Sequence, residues 1–236
     1  MVMREASGAD TMNRVRLLIY NIRYATGTGP AFHLPVPGAG YLRSSRQVLS
    51  QITDFIARSL GHYSTFECKY GVSSVNQLVP IVRKQANAFL AAPRVRGERF
   101  HYFDTGIKRL IIELELDDVA IFLVHLSLKF RHRQYQLRYL YDLLRKTRKP
   151  VIVAGDFNTY WGDHELYLFT QAAGLTSANL HGLPSYPSRS PRKELDFILH
   201  SGQIEVNRFA IPDVQFSDHL PLICDFTIHP RIRQAA

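Results

Sequence analysis

Residues 150–159 read PVIVAGDFNT, and the rest of the chain is organised around this stretch. An apolar run closed by Gly155 is typical of a strand buried on both faces. Asp156 and Asn158 are two residues apart, so an extended backbone would point them the same way and turn Phe157 into the core. The stretch predicts a buried strand ending in an acid and an amide that could hold a water, a metal or a phosphate oxygen. Because Gly, Asp and Asn are also common in turns, a turn that only ends a strand stays open.

The composition is that of a folded protein with a large core. Of the 236 residues, 46% are hydrophobic, with 14 Phe and 12 Tyr among them. This length corresponds to one large domain or two small ones, and no linker or internal repeat divides it. Lys and Arg number 29 against 20 acidic residues, which gives a net charge of +9. That balance favours a polyanionic partner such as nucleic acid or anionic lipid.

Cysteine content and the amino-terminal residues bear on location. Cys68 and Cys224 are too few for a disulfide framework, so we expect both to be reduced. Residues 1–13 are polar, lack a hydrophobic signal core and are expected to be disordered. No stretch is long and apolar enough to span a membrane. We expect a cytoplasmic monomer without stable membrane insertion, although a soluble enzyme acting on membrane lipid would have the same features.

Hydrophobic periodicity predicts three helices, over residues 44–60, 130–148 and 164–173. The second is basic and amphipathic, with Tyr135 expected to point inward and Arg133 outward. Residues 25–40, rich in Gly and Pro and including His33, predict a long loop near the mouth of the site. Asp117 and Asp118 predict a hairpin between two strands. The predicted strands cover residues 14–20, 63–70, 75–82, 86–91, 100–104, 109–115, 119–124, 151–154, 195–200 and 222–228.

Polar side chains stand at or beside the predicted strand ends, whereas the strands between them are apolar. This distribution predicts a single site at one edge of a β-sandwich. Oxygen donors dominate and no Cys or His cluster has zinc spacing, which indicates hydrolysis assisted by a hard divalent cation. The residues are Asn21, His125, Asp156, Asn158, Asp196, Asp218 and His219.

Six short segments carry a family resemblance. They are Tyr20-Asn21-Ile22-Arg23, Asn87-Ala88-Phe89-Leu90, Val124-His125-Leu126, Gly155-Asp156-Phe157-Asn158, Leu195-Asp196-Phe197-Ile198 and Ser217-Asp218-His219-Leu220-Pro221. In content and order they resemble the endonuclease/exonuclease/phosphatase superfamily, which includes DNase I-like nucleases, inositol phosphatases and neutral sphingomyelinases. The resemblance implies one domain over residues 14–230 with an α/β (α+β) fold. That fold is a four-layer αββα sandwich of two mixed, mainly antiparallel β-sheets flanked by helices.

The resemblance also implies roles around a Mg²⁺ or Mn²⁺ ion. Asp156 would orient or deprotonate the attacking water, and Asn158 would hold a phosphate oxygen. Asn21 and Asp218 would lie near the metal and the phosphate. The expected chemistry is in-line displacement with charge stabilised by metal and imidazolium.

Three further residues follow from the same resemblance. His219, oriented by Asp196, would stabilise the pentacovalent transition state, and His125 would lie beside the leaving group. From the residues alone, His125 could instead be a core histidine, Asp196 a strand-end cap and Asp218 a turn residue. His219 is harder to explain structurally, because an Asp-His pair before Leu-Pro has little structural purpose.

One departure from the family pattern concerns the metal-binding glutamate, which the family carries at the end of its second core strand after the first helix. Glu67 is the nearest candidate, but its flanks are more polar than a central strand requires. Either Glu67 is a displaced ligand, or that strand is absent, the helix over 44–60 is a fusion of two, and Glu67 belongs to the next strand. We favour the second interpretation, which would weaken metal binding and leave neighbouring strand edges unpaired.

The leading hypothesis is a metal-dependent phosphodiesterase, nuclease-like or sphingomyelinase-like, whose substrate is nucleic acid or a phospholipid head group. Candidate substrate contacts are Asn87, Arg131 and the aromatic pair Tyr160 and Trp161, which could stack on a base, rest against lipid or simply pack. The missing glutamate motivates an alternative, a catalytically impaired member that binds phosphate ligands. A phosphomonoesterase is a third possibility, to be separated by its preference for monoester substrates.

Overall fold

The computed structural model describes residues 2–5, 14–22, 45–68, 86–92, 95–104 and 110–229. These ranges contain the helices α1 (Ser45–Leu60), α2 (Phe130–Leu144) and α3 (Tyr167–Ala173), the last preceded by a 3₁₀ turn at Asp163–Leu166. None of the helices in these ranges is both long and apolar enough to cross a membrane. The strands are β1 (Val2–Glu5), β2 (Arg14–Ile19), β3 (Tyr63–Cys68), β4 (Ala86–Ala91), β5 (Gly97–Tyr102), β6 (Leu110–Glu115), β7 (Ala120–His125), β8 (Val151–Asp156), β9 (Leu175–Ser177), β10 (Asp196–Ser201), β11 (Ile204–Ala210) and β12 (Leu222–Ile228).

The strands form two six-stranded sheets. Sheet A has the order β11-β12-β2-β1-β4-β3, and sheet B has the order β5-β6-β7-β8-β10-β9. Each sheet contains one parallel pair, β1 with β4 in sheet A and β7 with β8 in sheet B. The remaining neighbours are antiparallel, so both sheets are mixed and mainly antiparallel, as expected.

Two apolar cores stack the elements into four layers. The first lies between the sheets, and the second lies between sheet B and the helices α2 and α3. On the far side, α1 contacts β3 and β4 of sheet A. The predicted αββα sandwich is therefore confirmed. Fully buried members of the first core include Leu17, Phe89, Ile112, Ile152 and Phe226, and of the second Phe122, Leu140, Val153 and Leu199.

The register of sheet B aligns three polar residues. His125 at the end of β7 is level with Asp156 at the end of β8, and Asp196 at the start of β10 lies opposite Asp156. Side chains two residues apart in a strand share a face, and Ile152 and Ile198 belong to the core between the sheets. Asp156 and Asp196 therefore project to the inner face, at one edge of the sandwich.

Gly155 is required by the approach of β7 to β8. Its φ is +139°, a backbone conformation that side chains disfavour, and a Cβ there would stand 1.9 Å from the carbonyl oxygen of Val124. Only glycine lets the two strands pair at the position before Asp156. The glycine of the Gly-Asp-Phe-Asn segment thus has a structural cause.

Most predicted elements are confirmed, with small shifts at their ends, and the hairpin at Asp117 and Asp118 joins β6 to β7. The helix predicted over 130–148 ends earlier, at Leu144. Two orientations in α2 were wrong: Arg133 is 1% exposed and Tyr135 is 51% exposed. Arg133 is buried because its charge is paired. The loop over 25–40 with His33 and the strand over 75–82 lie outside the described residues.

The amino-terminal half differs from expectation in its strands. Within the stretch predicted to be disordered, β1 pairs with both β2 and β4. The edges expected to remain unpaired are therefore joined by β1, and that expectation was wrong. Residues 45–68 hold one helix followed directly by β3. The strands β9 and β11 were not predicted, since neither has a strong apolar run.

Candidate functional site

Asp156 is the centre of a hydrogen-bonded group at the edge of sheet B. Its Oδ2 accepts from Asn21 Nδ2 at 2.9 Å and lies 3.1 Å from His125 Nε2, while its Oδ1 accepts from the backbone N–H of Asn158 at 2.9 Å. Asp156 is 4% exposed. Asn21 follows β2 of sheet A, so this carboxylate joins the two sheets. A buried carboxylate needs such partners to remain ionised.

Asn158 does not point alongside Asp156 as the extended backbone predicted. Its φ is +53°, in the left-handed region that Asn tolerates, so the chain turns back at this residue. The side-chain Nδ2 donates to the carbonyl oxygen of Leu126 at 2.9 Å. Asn158 therefore ties the loop after β8 to the loop after β7. Phe157 is fully buried, as predicted.

His219 forms a buried pair with Asp196. Its Nδ1 lies 2.7 Å from Asp196 Oδ2, and the same oxygen accepts from the hydroxyl of Ser185 at 2.6 Å. Burial by itself lowers the pKa of His219, but the charge and hydrogen bond of Asp196 outweigh it and raise the pKa to about 9. Burial raises the pKa of Asp196, and its hydrogen bonds with His219 and Ser185 oppose that rise. The imidazolium is thus held with Nδ1 bonded, which leaves Nε2 to face the site.

Two tyrosines pack beside this pair. The ring of Tyr186 lies 4.9 Å from that of His219, and Tyr160 meets Tyr186 edge-on at 6.0 Å. Burial, followed by the contact with Tyr186, raises the pKa of Tyr160. Lys193 lies over the Tyr160 ring at 5.2 Å and donates to its carbonyl oxygen at 2.8 Å. Tyr160 therefore remains a neutral phenol at the wall of the site.

Asp218 is near the same group. Its charge contributes to raising the pKa values of Tyr20, Tyr160 and His219, which places its carboxylate within electrostatic range of all three. The hydroxyl of Ser217 donates to Asp218 Oδ1 at 3.2 Å. Half-exposed, Asp218 is the carboxylate of the group most open to solvent.

Glu67 lies at the corresponding edge of sheet A, but to one side. It pairs with Asn87 across β3 and β4, and two residues away Thr65 pairs with the core residue Phe89, so Glu67 and Asn87 are on the inner face. The sheet order separates β3 from β2, which leads to Asn21, by three strand spacings, or roughly 14 Å. A glutamate side chain does not span that gap. The structure does not bring Glu67 to Asp156.

Asn87 is on β4, which lies between β3 and β1 in sheet A. Its amide nitrogen is buried and makes no hydrogen bond within the described ranges. A buried donor without a partner is costly, and a bound ligand or water commonly explains one. The donor of Asn87 is therefore free to meet a group bound between the sheets.

The carboxylates offer donors for a divalent cation. Ligand atoms of Asp156, Asp196 and His219 all lie within 4.8 Å of one another. Asp196 and His219 are already bonded to each other, so oxygen donors from Asp156, Asn21 and the more open Asp218 suit a hard cation better. By donor chemistry these oxygens suit such an ion, although Asp218 is not in the group whose ligand atoms lie within 4.8 Å of one another, and no glutamate of the described ranges stands where the family pattern implies one.

Two other candidate substrate contacts, Trp161 and Arg131, are exposed to solvent. Trp161 is 71% exposed and stacks on Phe130, with ring centroids 5.8 Å apart and an interplanar angle of 16°. Arg131 is exposed, and its guanidinium lies 5.9 Å from the Tyr135 ring centroid. Of the aromatic pair, Tyr160 packs against the site and Trp161 faces solvent.

Ser185 and Tyr186 were not among the predicted site residues; they lie in the Pro/Ser/Arg-rich stretch over residues 181–193, a composition typical of loops. The backbone of this segment is bound to the residues around His219, since Leu220 N donates to the carbonyl oxygen of Ser185 and Ser188 N to that of Asp218, each at 2.8 Å. Neither residue has a local signal of function. Only the fold, which brings the segment against β10, gives them partners.

Comparison with known proteins identifies the family of the chain. A family model described as the Endonuclease/Exonuclease/phosphatase family matches residues 51–219. A UPF0294 protein of Vibrio vulnificus is 34% identical over 99 residues, which are 40% of this chain and 34% of that protein. A UPF0294 protein of Yersinia pestis is 34% identical over 110 residues, which are 46% of this chain and 41% of that protein. These matches span less than half the length of the curated relatives.

Solved structures share the fold at low sequence identity. An endonuclease/exonuclease/phosphatase family protein from Bacteroides thetaiotaomicron has a TM-score of 0.67 at 13% identity, covering 93% of this chain and 99% of that one. The human Nocturnin catalytic domain has a TM-score of 0.58 at 18% identity, covering 93% and 96%. A mannosyl-6-phosphatase from B. thetaiotaomicron has a TM-score of 0.57 at 13% identity, covering 77% and 88%.

Proposed function

Because the chain belongs to the endonuclease/exonuclease/phosphatase family, we propose that it is a divalent-metal-dependent phosphodiesterase that uses in-line attack of an activated water. The family acts on phosphate esters, and the proposal narrows that class to a diester. One observation carries it: His125, Asp156 and Asp196 stand in one row across three strands, with His219 bound to Asp196. That row joins a base, an acid and an oriented imidazolium at one edge.

Asp156 serves as the base in this proposal. Its carboxylate is fixed by Asn21 and by the backbone N–H of Asn158, so it can orient a water and accept its proton without reorganising. His125 is the proposed donor to the leaving oxygen, which is supported by its place in the row, with Nε2 3.1 Å from Asp156 Oδ2.

His219 serves as the fixed positive charge. With a pKa of about 9 it is protonated at neutral pH, and Asp196 holds its Nδ1 so that Nε2 donates toward the phosphoryl oxygens. Charge that is already in place stabilises the transition state more than charge that must be reorganised. Ser185 keeps Asp196 in position.

Mg²⁺ or Mn²⁺ is the proposed cofactor, held by Asp156, Asp218 and Asn21. When bound, such an ion polarises a phosphoryl oxygen and neutralises developing charge. Glu67 stays a candidate ligand only if the protein rearranges, because β3 holds it three strands from β2.

The proposed substrate is nucleic acid or a phospholipid head group. The net charge of +9 supports a polyanion, and Asn87 offers an unused donor on the inner face. Trp161 presents an exposed indole, suited to stacking on a base or contacting an acyl surface. Arg131 would meet a second phosphate, and the hydroxyl of Tyr160 could donate to the substrate.

The test measures hydrolysis of bis(p-nitrophenyl) phosphate, plasmid DNA and sphingomyelin in Mg²⁺, in Mn²⁺ and in EDTA. We expect metal-dependent turnover that His219→Ala reduces by about 10²-fold or more. The two natural substrates separate nuclease from lipid phosphodiesterase. Absence of turnover on every diester, from protein shown to be folded, would contradict the proposal.

A second candidate is a family member that binds phosphate ligands without turning them over. The position of Glu67, roughly three strand spacings (~14 Å) from β2, favours it by removing one carboxylate from the metal site. In that case the protein would bind a phosphodiester as tightly with Asp156→Asn as with Asp156. An enzyme would lose turnover on the same change.

A further inference from the structure

A buried ion pair joins α2 to the 3₁₀ turn that precedes α3. The Arg133 and Glu165 side chains are each 1% exposed. Both Nε and Nη2 of Arg133 donate to Glu165 Oε2, Nε at 3.1 Å. The pair lies beneath the loops at the catalytic edge and takes no part in the group around Asp156.

Arg133 fixes the loop that follows His125. Its Nη1 donates to the carbonyl oxygens of Ser127 at 2.9 Å and Leu128 at 2.8 Å. The backbone N–H of Ser127 donates to Gln136 Oε1 at 2.8 Å, so α2 holds both backbone groups of Ser127. The Ser127 hydroxyl, in contrast, is buried and makes no hydrogen bond within the described ranges. The loop is thus held by its backbone and keeps a side-chain donor unused.

Glu165 fixes the loop that follows Asn158. Its Oε1 accepts from the backbone N–H of Trp161 at 3.0 Å. Trp161 stacks on Phe130, and the Arg133 guanidinium lies 5.9 Å from the Phe130 ring centroid. One ion pair therefore contacts both loops that leave the catalytic row, one from each of the parallel strands β7 and β8.

A buried ion pair is a weak source of stability, because removing two charges from water offsets most of their attraction. Apolar residues of similar volume often stabilise a fold equally well. What they cannot supply is direction: a planar guanidinium and a carboxylate fix hydrogen-bond partners at set angles. Here the partners are backbone groups on both sides of the site.

We propose that the Arg133–Glu165 pair is a positioning device that sets the loops after β7 and β8 relative to each other, and so holds His125 and Asn158 at the spacing the reaction needs. This rests on the phosphodiesterase function proposed above. The residues act through their neighbours and do not touch the substrate. A misplacement of about 1 Å at a reacting group can cost about 10²-fold in rate, so small loop shifts suffice.

The test replaces the pair with apolar residues, Arg133→Met together with Glu165→Leu. The control is Arg16→Met with Asp225→Leu, a bidentate pair between β2 and β12 outside the site. Three quantities are measured: the melting temperature, kcat and KM for bis(p-nitrophenyl) phosphate, and the fluorescence anisotropy of Trp161, which is the only tryptophan in the chain. We expect the Arg133/Glu165 variant to fold, with kcat about 10- to 100-fold lower, KM changed less, and lower Trp161 anisotropy. The control should leave kcat and anisotropy unchanged.

Arg133→Lys keeps the charge of the buried pair balanced. It is the variant to measure if the apolar variant does not fold. Lysine lacks the planar, forked guanidinium but keeps the charge, so we expect a smaller drop in kcat and in anisotropy than in the apolar variant. Wild-type kcat and anisotropy in folded Arg133 variants would overturn the proposal. If the wild-type protein hydrolyses no diester, the phosphodiesterase function fails, and the anisotropy alone decides whether the pair positions the loops.

Discussion

The two sheets contribute different side chains to the same edge of the sandwich. Sheet B delivers His125, Asp156 and Asp196 in one row, each held by contacts within hydrogen-bond distance. Sheet A delivers Asn21 directly to Asp156, whereas Glu67 stands three strands away on β3. Within the described residues, the side chains proposed as acid, base and charge stabiliser are brought together, whereas the proposed metal site lacks the glutamate of the family pattern.

This difference has a structural origin in sheet A. The chain passes from α1 straight into β3, and β1 pairs with β2 where a further core strand would be expected from the family pattern. β1 thus pairs with the neighbouring edges of β2 and β4. It is antiparallel to β2, however, and does not carry a carboxylate to its end near Asn21. Strand pairing needs only backbone groups, whereas a metal site needs particular side chains, so a sandwich can keep its core without the family's glutamate.

The largest expected effect comes from breaking sheet B itself. Gly155→Ala would place a Cβ 1.9 Å from the Val124 carbonyl oxygen at a φ of +139°. We expect a loss of more than about 4 kcal/mol in the free energy of unfolding, enough to unfold much of a marginally stable domain. Thermal denaturation followed by circular dichroism measures it.

Gly202→Ala is the matched control, because nothing lies within 4 Å of a Cβ at that turn glycine. Its melting temperature should stay close to that of the wild type. A folded Gly155→Ala protein with an unchanged melting temperature would show that β7 and β8 do not approach as described.

Replacing Asp156, the proposed base, should leave the fold intact and greatly reduce turnover. Asp156→Asn keeps the shape of the side chain but cannot accept a proton, so we expect a decrease in kcat of about 10²- to 10⁴-fold. Steady-state hydrolysis of bis(p-nitrophenyl) phosphate measures it. Asp117→Asn, in the exposed hairpin between β6 and β7, is the control and should keep full activity. Equal kcat values for wild type and Asp156→Asn would contradict the assignment of the base.

The support of His219 should give a smaller, graded effect. Ser185→Ala removes one hydrogen bond to Asp196, worth about 1 kcal/mol, so we expect kcat to fall about fivefold. Asp196→Asn removes the negative charge that pairs with the His219 imidazolium, and should cost about 10²-fold. If Ser185→Ala reduced kcat more than Asp196→Asn, Ser185 would act on the substrate and not through Asp196.

Sheet B can be predicted from the sequence more fully than sheet A. Sheet B is specified locally: apolar runs give β7, β8 and β10, and the polar residue at each end follows directly, so the row can be predicted from the amino-acid pattern alone. Asn158 could not be placed, because its left-handed backbone reverses the direction of its side chain. The contacts of Ser185 and Arg133 could not be predicted either, since their partners Asp196 and Glu165 lie outside the local sequence pattern.

Sheet A is specified less locally. The departure around Glu67 was visible in the polar flanks of β3, but β1 lacks a strong strand signal and gains its place only by pairing with β2 and β4. Non-local pairing of this kind is what periodicity cannot detect. The same limit applies to β9 and β11.

The smallest expected effect is a pH dependence next to the row. Burial raises the pKa of Glu194 to about 7. A raised carboxyl pKa contributes stability that is fully present below the unfolded value of about 4.3 and is lost as pH rises through 7. Glu194→Gln should therefore match the wild type near pH 4.5 and have a slightly higher melting temperature above pH 7.

Asp54→Asn, on the exposed side of α1, is the control for Glu194→Gln and should show no such difference between the two pH values. The Gln variant preserves the acceptor for Asn179, whose Nδ2 lies 2.8 Å from Glu194 Oε1. A Glu194→Gln protein less stable than wild type above pH 7 would show that the charged carboxylate is stabilising there.

Metal binding tests the contrast between sheet A and sheet B most directly. Isothermal titration of the wild type, Glu67→Gln and Asp218→Asn with Mn²⁺ compares the two carboxylates without relying on turnover. If the site is built on Asp156, Asp218 and Asn21, Glu67→Gln should bind Mn²⁺ within about twofold of the wild type, and Asp218→Asn at least about tenfold more weakly. A tenfold weakening in Glu67→Gln with Asp218→Asn unchanged would contradict the account, and would mean that β3 moves to bring Glu67 to the ion.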